Sequence, residues 1–107
     1  MNFKSNDMTL LKIKELTESV NLHWGSRMPL MAAEEAGEFI QAVSKLERKL
    51  YSPQSGRTYD IEDEMDHLVE EMGDVLIVIG ALANKYGIPA IDIQEAIESK
   101  LLEHREV

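Results

Sequence analysis

Apolar residues recur at helical spacing along nearly the whole chain. The segment "TLLKIKELTESVNLHW" (9–24) predicts a first amphipathic helix, with Asn6, Asp7 or Thr9 placed to cap it. "GSRMP" (25–29) is a break, with Ser26 or Arg27 just outside a second helix and Pro29 in its first turn, where a missing N–H costs nothing. That helix, "PLMAAEEAGEFIQAVSKLERKL", should end near Tyr51, because Ser52 precedes Pro53 and is biased out of the helical region. "SPQSGRTYD" (52–60) collects Pro, Ser and Gly and reads as a loop. "IEDEMDHLVEEMGDVLIVIGALANKY" predicts a third helix stopped by Gly87, and Pro89 opens a last one, "AIDIQEAIESKLLEHR". No segment alternates as a strand would, and no repeat is present. The expectation is an all-α bundle of about four helices in a single domain spanning residues 1–107.

Between Met72 and Tyr86 the third helix is apolar nearly all round, the mark of a helix covered on every side. Three other helices of these lengths could hardly enclose it. A homo-oligomer, a dimer or a tetramer, is the simplest way to cover the remainder.

Composition narrows the partners. With 44% hydrophobic and 29% charged residues the chain should be globular. Its net charge of −9 argues against nucleic acid or an anionic membrane as a main partner. A phosphorylated small molecule stays open if a cation bridges the like charges. Cysteine is absent, which removes disulfides, thiolate metal sites and cysteine nucleophiles and fits a cytoplasmic setting. "MNFKSND" at the start has no apolar stretch of signal-peptide type, and the longest apolar run, "VLIVIGALA" (75–83), is too short to span a bilayer.

Against this background two short stretches stand out. "EEAGE" (34–38) and "EEMGD" (70–74) each set acidic residues three apart, Glu35 with Glu38 and Glu71 with Asp74, inside otherwise apolar helical runs. A helix turns about 100° per residue, so positions three and four apart share a face. Glu35 shares its face with Met31, Ala32, Phe39 and Ala42; Glu71 shares its face with Leu68, Val75 and Val78; Asp74 lies beside Val78 and Ala81. Glu38 lies one step toward a polar edge of Glu34, Gln41 and Lys45. Uncompensated charges there cost several kcal/mol (roughly) even after relaxation. Basic partners, raised pKa values or a metal cation would each relieve the cost, and lysine and arginine are scarce on these faces. Carboxylates about 5–6 Å apart on two facing helices make an oxygen-rich cage suited to Mg²⁺, with Mn²⁺ also accommodated. No cysteine and no suitably spaced histidine pair favours zinc or a di-iron centre.

The plain alternative is a solvated acidic face. Asp63/Asp66 and Glu95/Glu98 share the same spacing, and any single pair of this kind is ordinary surface. Two pairs, both embedded in the most apolar helices, carry more weight than one. Trp24, with His23, stands just before the second helix and could stack on a base, or anchor the core. Arg57 could reach a phosphate, or simply be solvated. His67, one turn before Glu71, could support it, or else pair with Glu70 or point to water.

The "E-x-x-E" of "EEAGEFIQAVSKLE", followed by the "E-x-x-D" of "EEMGDVLIVIGALA", resembles the MazG-like all-α nucleoside triphosphate pyrophosphohydrolases over roughly residues 24–105. The resemblance implies that Glu35, Glu38, Glu71 and Asp74 are metal ligands. It implies Mg²⁺-dependent hydrolysis of a (deoxy)nucleoside triphosphate to the monophosphate and pyrophosphate. Members often carry a lysine, an asparagine and an arginine on the last helix. Here "KLLEHR" supplies Lys100 and Arg105, with His104 where asparagine is expected. Lys100 and Arg105 would hold phosphate oxygens, or else be ordinary charges near a helix end. Glu38, at the wetter edge, is the candidate general base. The polar segment 51–66 looks like an insertion relative to compact members. No Gly-rich phosphate loop is present to support terminal transfer. Two competing readings are a phosphoribosyl-ATP pyrophosphatase-like enzyme and a non-catalytic helical oligomerisation module whose inner acids fix register.

Overall fold

The computed structural model describes residues 9–51 and 61–105, all of them helical or in short connections. The segment expected as a loop at 52–60, with Arg57, and the alternative caps Asn6 and Asp7 lie outside the described residues. The first predicted helix is instead two: α1 (Leu10–Leu16) and α2 (Glu18–Trp24), separated by one residue. That residue, Thr17, is almost fully buried, and its hydroxyl donates back to the Lys14 carbonyl at 2.8 Å. Its N–H is split between the carbonyls of Ile13 (3.1 Å) and Lys14 (3.3 Å). A threonine hydroxyl that competes for the helix's own carbonyls in this way bends the ladder, and periodicity alone does not reveal it. Thr9 is the N-cap, accepting from the Lys12 N–H at 3.2 Å.

A 3-10 turn at Gly25–Arg27 leads into α3 (Met28–Leu50), which starts where Pro29 allows it. Helix α4 (Glu62–Tyr86) opens on Glu62, Asp63 and Glu64, which complement the positive end of its dipole. It closes on Gly87 at φ +65°, with Ile88 N–H reaching the Ala83 carbonyl at 2.9 Å, a Schellman cap that requires the left-handed residue. Helix α5 (Ala90–Arg105) follows Pro89.

Helices α3 and α4 form the antiparallel centre of the molecule. Met28 and Ala32, near the start of α3, pack with Val78 and Ala81 toward the end of α4. At the other end Lys49 Nζ meets Glu64 Oε1 at 2.8 Å. Helices α1 and α2 lie on α4. The approach is close at Gly80, where an added Cβ would sit 2.6 Å from Ile13 Cγ2 and 3.1 Å from the Ile13 carbonyl carbon. Two amides fix that contact: Asn21 Nδ2 donates to the Ala81 carbonyl at 2.8 Å, and Asn84 Nδ2 to the Lys14 carbonyl at 3.1 Å.

Helix α5 makes its main contact with α1 and leaves Ile91, Ile97, Leu101 and Leu102 exposed. The radius of gyration is 17.0 Å, against about 13 Å for a compact domain of this length. Among the described residues, the third predicted helix is therefore not covered on all sides. On α4, Met72, Leu76, Ile77 and Ile79 are each more than one third exposed.

Candidate metal centre

Glu35 projects from the middle of α3, and Glu71 and Asp74 project from the facing turns of α4. The antiparallel pairing that seats Ala32 on Val78 brings the three together. One carboxylate oxygen from each lies within 4.8 Å of the other two, and among the described residues this is the group arranged to hold a cation. Glu71 is buried, with 7% of its surface exposed. Oε2 of Glu35 and Oε2 of Glu71 are both shielded from solvent and have no hydrogen-bond partner. Among the described residues no lysine or arginine pairs with Glu35, Glu71 or Asp74. The pKa of Glu35 is raised above its ordinary value by burial first, then by the charges of Glu38, Asp74 and Glu71 and by a side-chain hydrogen bond with Glu38.

Buried carboxylate oxygens without donors are expensive unless something positive reaches them. Hard oxygen donors from two rigid helices fit Mg²⁺ or Mn²⁺, and nothing in the set favours a softer ion. Of the four acids singled out in the sequence, three form this tight group. Glu38 stands beside it, exposed, touching Glu35 and open to water. The decoy pairs behave as surface: Asp63, Asp66, Glu95 and Glu98 are all exposed.

The other candidates fall in different surroundings. Trp24 is partly buried against the cluster of Met28, Ala32, Val78 and Ala81, as a core anchor would be. Lys100 is largely solvated and sits 3.5 Å from Glu103. His104 is exposed and lines a shallow hollow with Glu98, Leu101 and Leu102. Arg105 is the last residue of α5, and its side chain lies outside the described set. His67 was left between supporting Glu71, pairing with Glu70 and pointing to water; its Nε2 stands 3.3 Å from Glu71 Oε1. The i, i+4 spacing was the available signal. On the other side of α4, an apolar groove of about 370 Å³ is lined by Ile13, Leu16, Thr17, Val20, Gly73, Leu76 and Ile77.

Comparison with known proteins identifies the family of the chain. The model of the MazG nucleotide pyrophosphohydrolase domain matches residues 26–106, a span that contains all four acids and α5. The chain is also similar to the uncharacterized protein YvdC of Bacillus subtilis (strain 168), 38% identical over 68 residues. That alignment covers 64% of this chain and 63% of the relative, so the chain spans a little under two thirds of that protein's length. No solved structure matches it significantly.

Proposed function

The chain belongs to the MazG nucleotide pyrophosphohydrolase domain family, and from that premise we propose that it hydrolyses a nucleoside or deoxynucleoside triphosphate to the monophosphate and pyrophosphate, with Mg²⁺ or Mn²⁺ as cofactor. The observation that carries the proposal is the pair of buried, partnerless oxygens on Glu35 and Glu71, with Asp74 within 4.8 Å. In this reading Glu35, Glu71 and Asp74 hold the cation, and Glu38 borders the site as a fourth ligand or as the base. A bound divalent cation supplies neutralisation of the phosphate chain and acidification of water.

The rest falls to the chain's own residues. Glu38 is open to solvent and accepts the proton of the attacking water. Water adds at the α phosphorus, the bond to the bridging oxygen breaks, and pyrophosphate leaves. Lys100, His104 and Arg105 donate to phosphate oxygens, and Trp24 with its neighbour His23 offers the aromatic surface nearest the start of α3 for a base. In an acidic chain without a Gly-rich phosphate loop, cleavage without a cation should be negligible.

The same proposal covers the setting. The protein acts in the cytoplasm as one domain; no helix among the described residues is long and apolar enough to cross a membrane. It works as a homodimer or homotetramer. Supporting this are the exposed apolar flank of α4, the expanded radius of gyration, and Gly73, a helical glycine with nothing within 4 Å of its would-be Cβ. A glycine inside a helix costs about 1 kcal/mol relative to alanine. At Gly80 close packing by Ile13 accounts for that cost; at Gly73 nothing among the described residues does.

The test is a screen of common nucleoside and deoxynucleoside triphosphates with Mg²⁺, with products separated by chromatography. Equal amounts of monophosphate and pyrophosphate are expected from the best substrate. Diphosphate and orthophosphate as the first products would refute the chemistry.

A further inference from the structure

We propose that His67 is a positioning residue for Glu71: its Nε2–H engages Oε1 of the carboxylate, leaving Oε2 to face the cation. The proposal rests on the metal-site reading above and adds a residue to it. Helix α4 sets positions 67 and 71 one turn apart, so their side chains overlap on one face. Nε2 stands 3.3 Å from Oε1, while Oε2 of the same carboxylate is shielded from water and has no partner. The two oxygens of one buried side chain are thus divided in role.

The division matters because a glutamate has three torsions. A carboxylate tethered at one oxygen presents the other in a fixed direction, whereas a free one must lose that freedom when the ion binds. Partners of this kind hold metal-binding groups in place, and losing them typically weakens metal affinity by about 10–100-fold. A neutral imidazole with its proton on Nε2 can donate to Oε1, and the imidazolium donates more strongly. The His67 side chain is 43% exposed, so replacing it removes little packing. A structural staple of the fold would be better buried.

The experiment measures Mn²⁺ binding to the full chain without nucleotide, by the electron paramagnetic resonance of free Mn²⁺. His67→Ala, His67→Gln and Glu71→Gln are compared with the parent, and circular dichroism of each metal-free protein confirms the helical fold. His67→Ala should weaken Mn²⁺ binding about tenfold or more. His67→Gln, whose amide N–H can still reach Oε1, should recover most of the loss. Glu71→Gln should remove binding. If Glu71→Gln loses Mn²⁺ while His67→Ala binds as the parent does, the positioning role is overturned and the site stands. If both His67 variants are equally weakened, donation from this position is not the cause and the proposal also falls. Parent-like binding by Glu71→Gln would instead overturn the metal site itself.

Discussion

Replacing Glu71 with glutamine removes one charge from the acidic cluster and keeps the side chain's size. The three carboxylates offer oxygens within 4.8 Å of one another. Two full charges at that distance repel by about 3–4 kcal/mol at an effective dielectric of 20 and by about 1 kcal/mol in bulk water. The true cost lies between these limits, because the cluster is buried on the side of Glu71 and open at Asp74. The same repulsion, after burial, raises the pKa of Glu35. Glutamine also weakens the contact with His67. A net gain of about 1–2 kcal/mol in the metal-free protein is the expected balance. For a chain of this length the entropy of unfolding is about 0.2 kcal/mol/K, so Tm should rise by about 4–9 °C. Metal reverses the order. At a concentration one hundred times its Kd, a cation that binds only the folded state adds about 2.7 kcal/mol to the parent, and the variant should gain almost none of it. Thermal melts in chelator and in millimolar Mn²⁺ read both effects. If Glu71→Gln melts below the parent in chelator, and Mn²⁺ stabilises the two equally, the carboxylates are not a cation cage.

Three further outcomes follow from the same geometry. Because the pKa of Glu35 is raised above 4.5, its contribution to metal-free stability is fully present below that value and is lost as pH rises through its folded value; Tm against pH for Glu35→Gln should therefore be flatter than for the parent, and parallel curves would contradict the cause assigned. Gly80→Ala drives a methyl to 2.6 Å from Ile13 Cγ2 and 3.2 Å from the Ile13 carbonyl oxygen; overpacking of about 1–3 kcal/mol should exceed the helix-propensity gain of about 1 kcal/mol, so Tm should fall, and a rise would mean that α1 is not held there. Gly73→Ala has open space in one chain and should raise monomer stability by about 0.5–1 kcal/mol, but if a second copy packs on this face, light scattering should show a smaller assembly at equal concentration.

Much of this arrangement was legible in the sequence. Helix ends were set by local chemistry: Thr9 as a cap, Pro29 in a first turn, Gly87 as the residue type most comfortable at its left-handed backbone angles. The acids were legible because charged residues broke an apolar period. What escaped was decided by neighbours in space. The break at Thr17 depends on which way a hydroxyl turns, and a helical period passes over it without a gap. The polar edge of α3 already set Glu38 toward water, but how closely the other three acids gather depends on how α3 rotates against α4, and spacing along one helix leaves that rotation free. His67 shares a helix face with both Glu70 and Glu71, at three and four residues, and only the rotamer chooses between them. The placement of α5 along α1, with Lys100 solvated, likewise follows from packing and not from pattern.

The position of the acids within the α3–α4 pair explains how a chain of this size can hold them close. On α3 the buried residues are Met28 and Ala32 before Glu35, and Ala42 and Leu46 after it. On α4 Glu71 and Asp74 are followed by the buried Val78 and Ala81. In an antiparallel pair these residues form apolar ledges on both sides of the carboxylates, and the Lys49–Glu64 contact closes the far end. Ala32, Ala42 and Ala81 among these positions are small, so the helix axes can approach closely, and burial of the ledges opposes the repulsion that would push the axes apart. The favourable packing is thus placed next to the unfavourable charge, and on rigid helices. Under the proposed metal reading, a cation would find these oxygens already gathered and have little left to organise, so that the cost of folding around bare carboxylates would return as affinity.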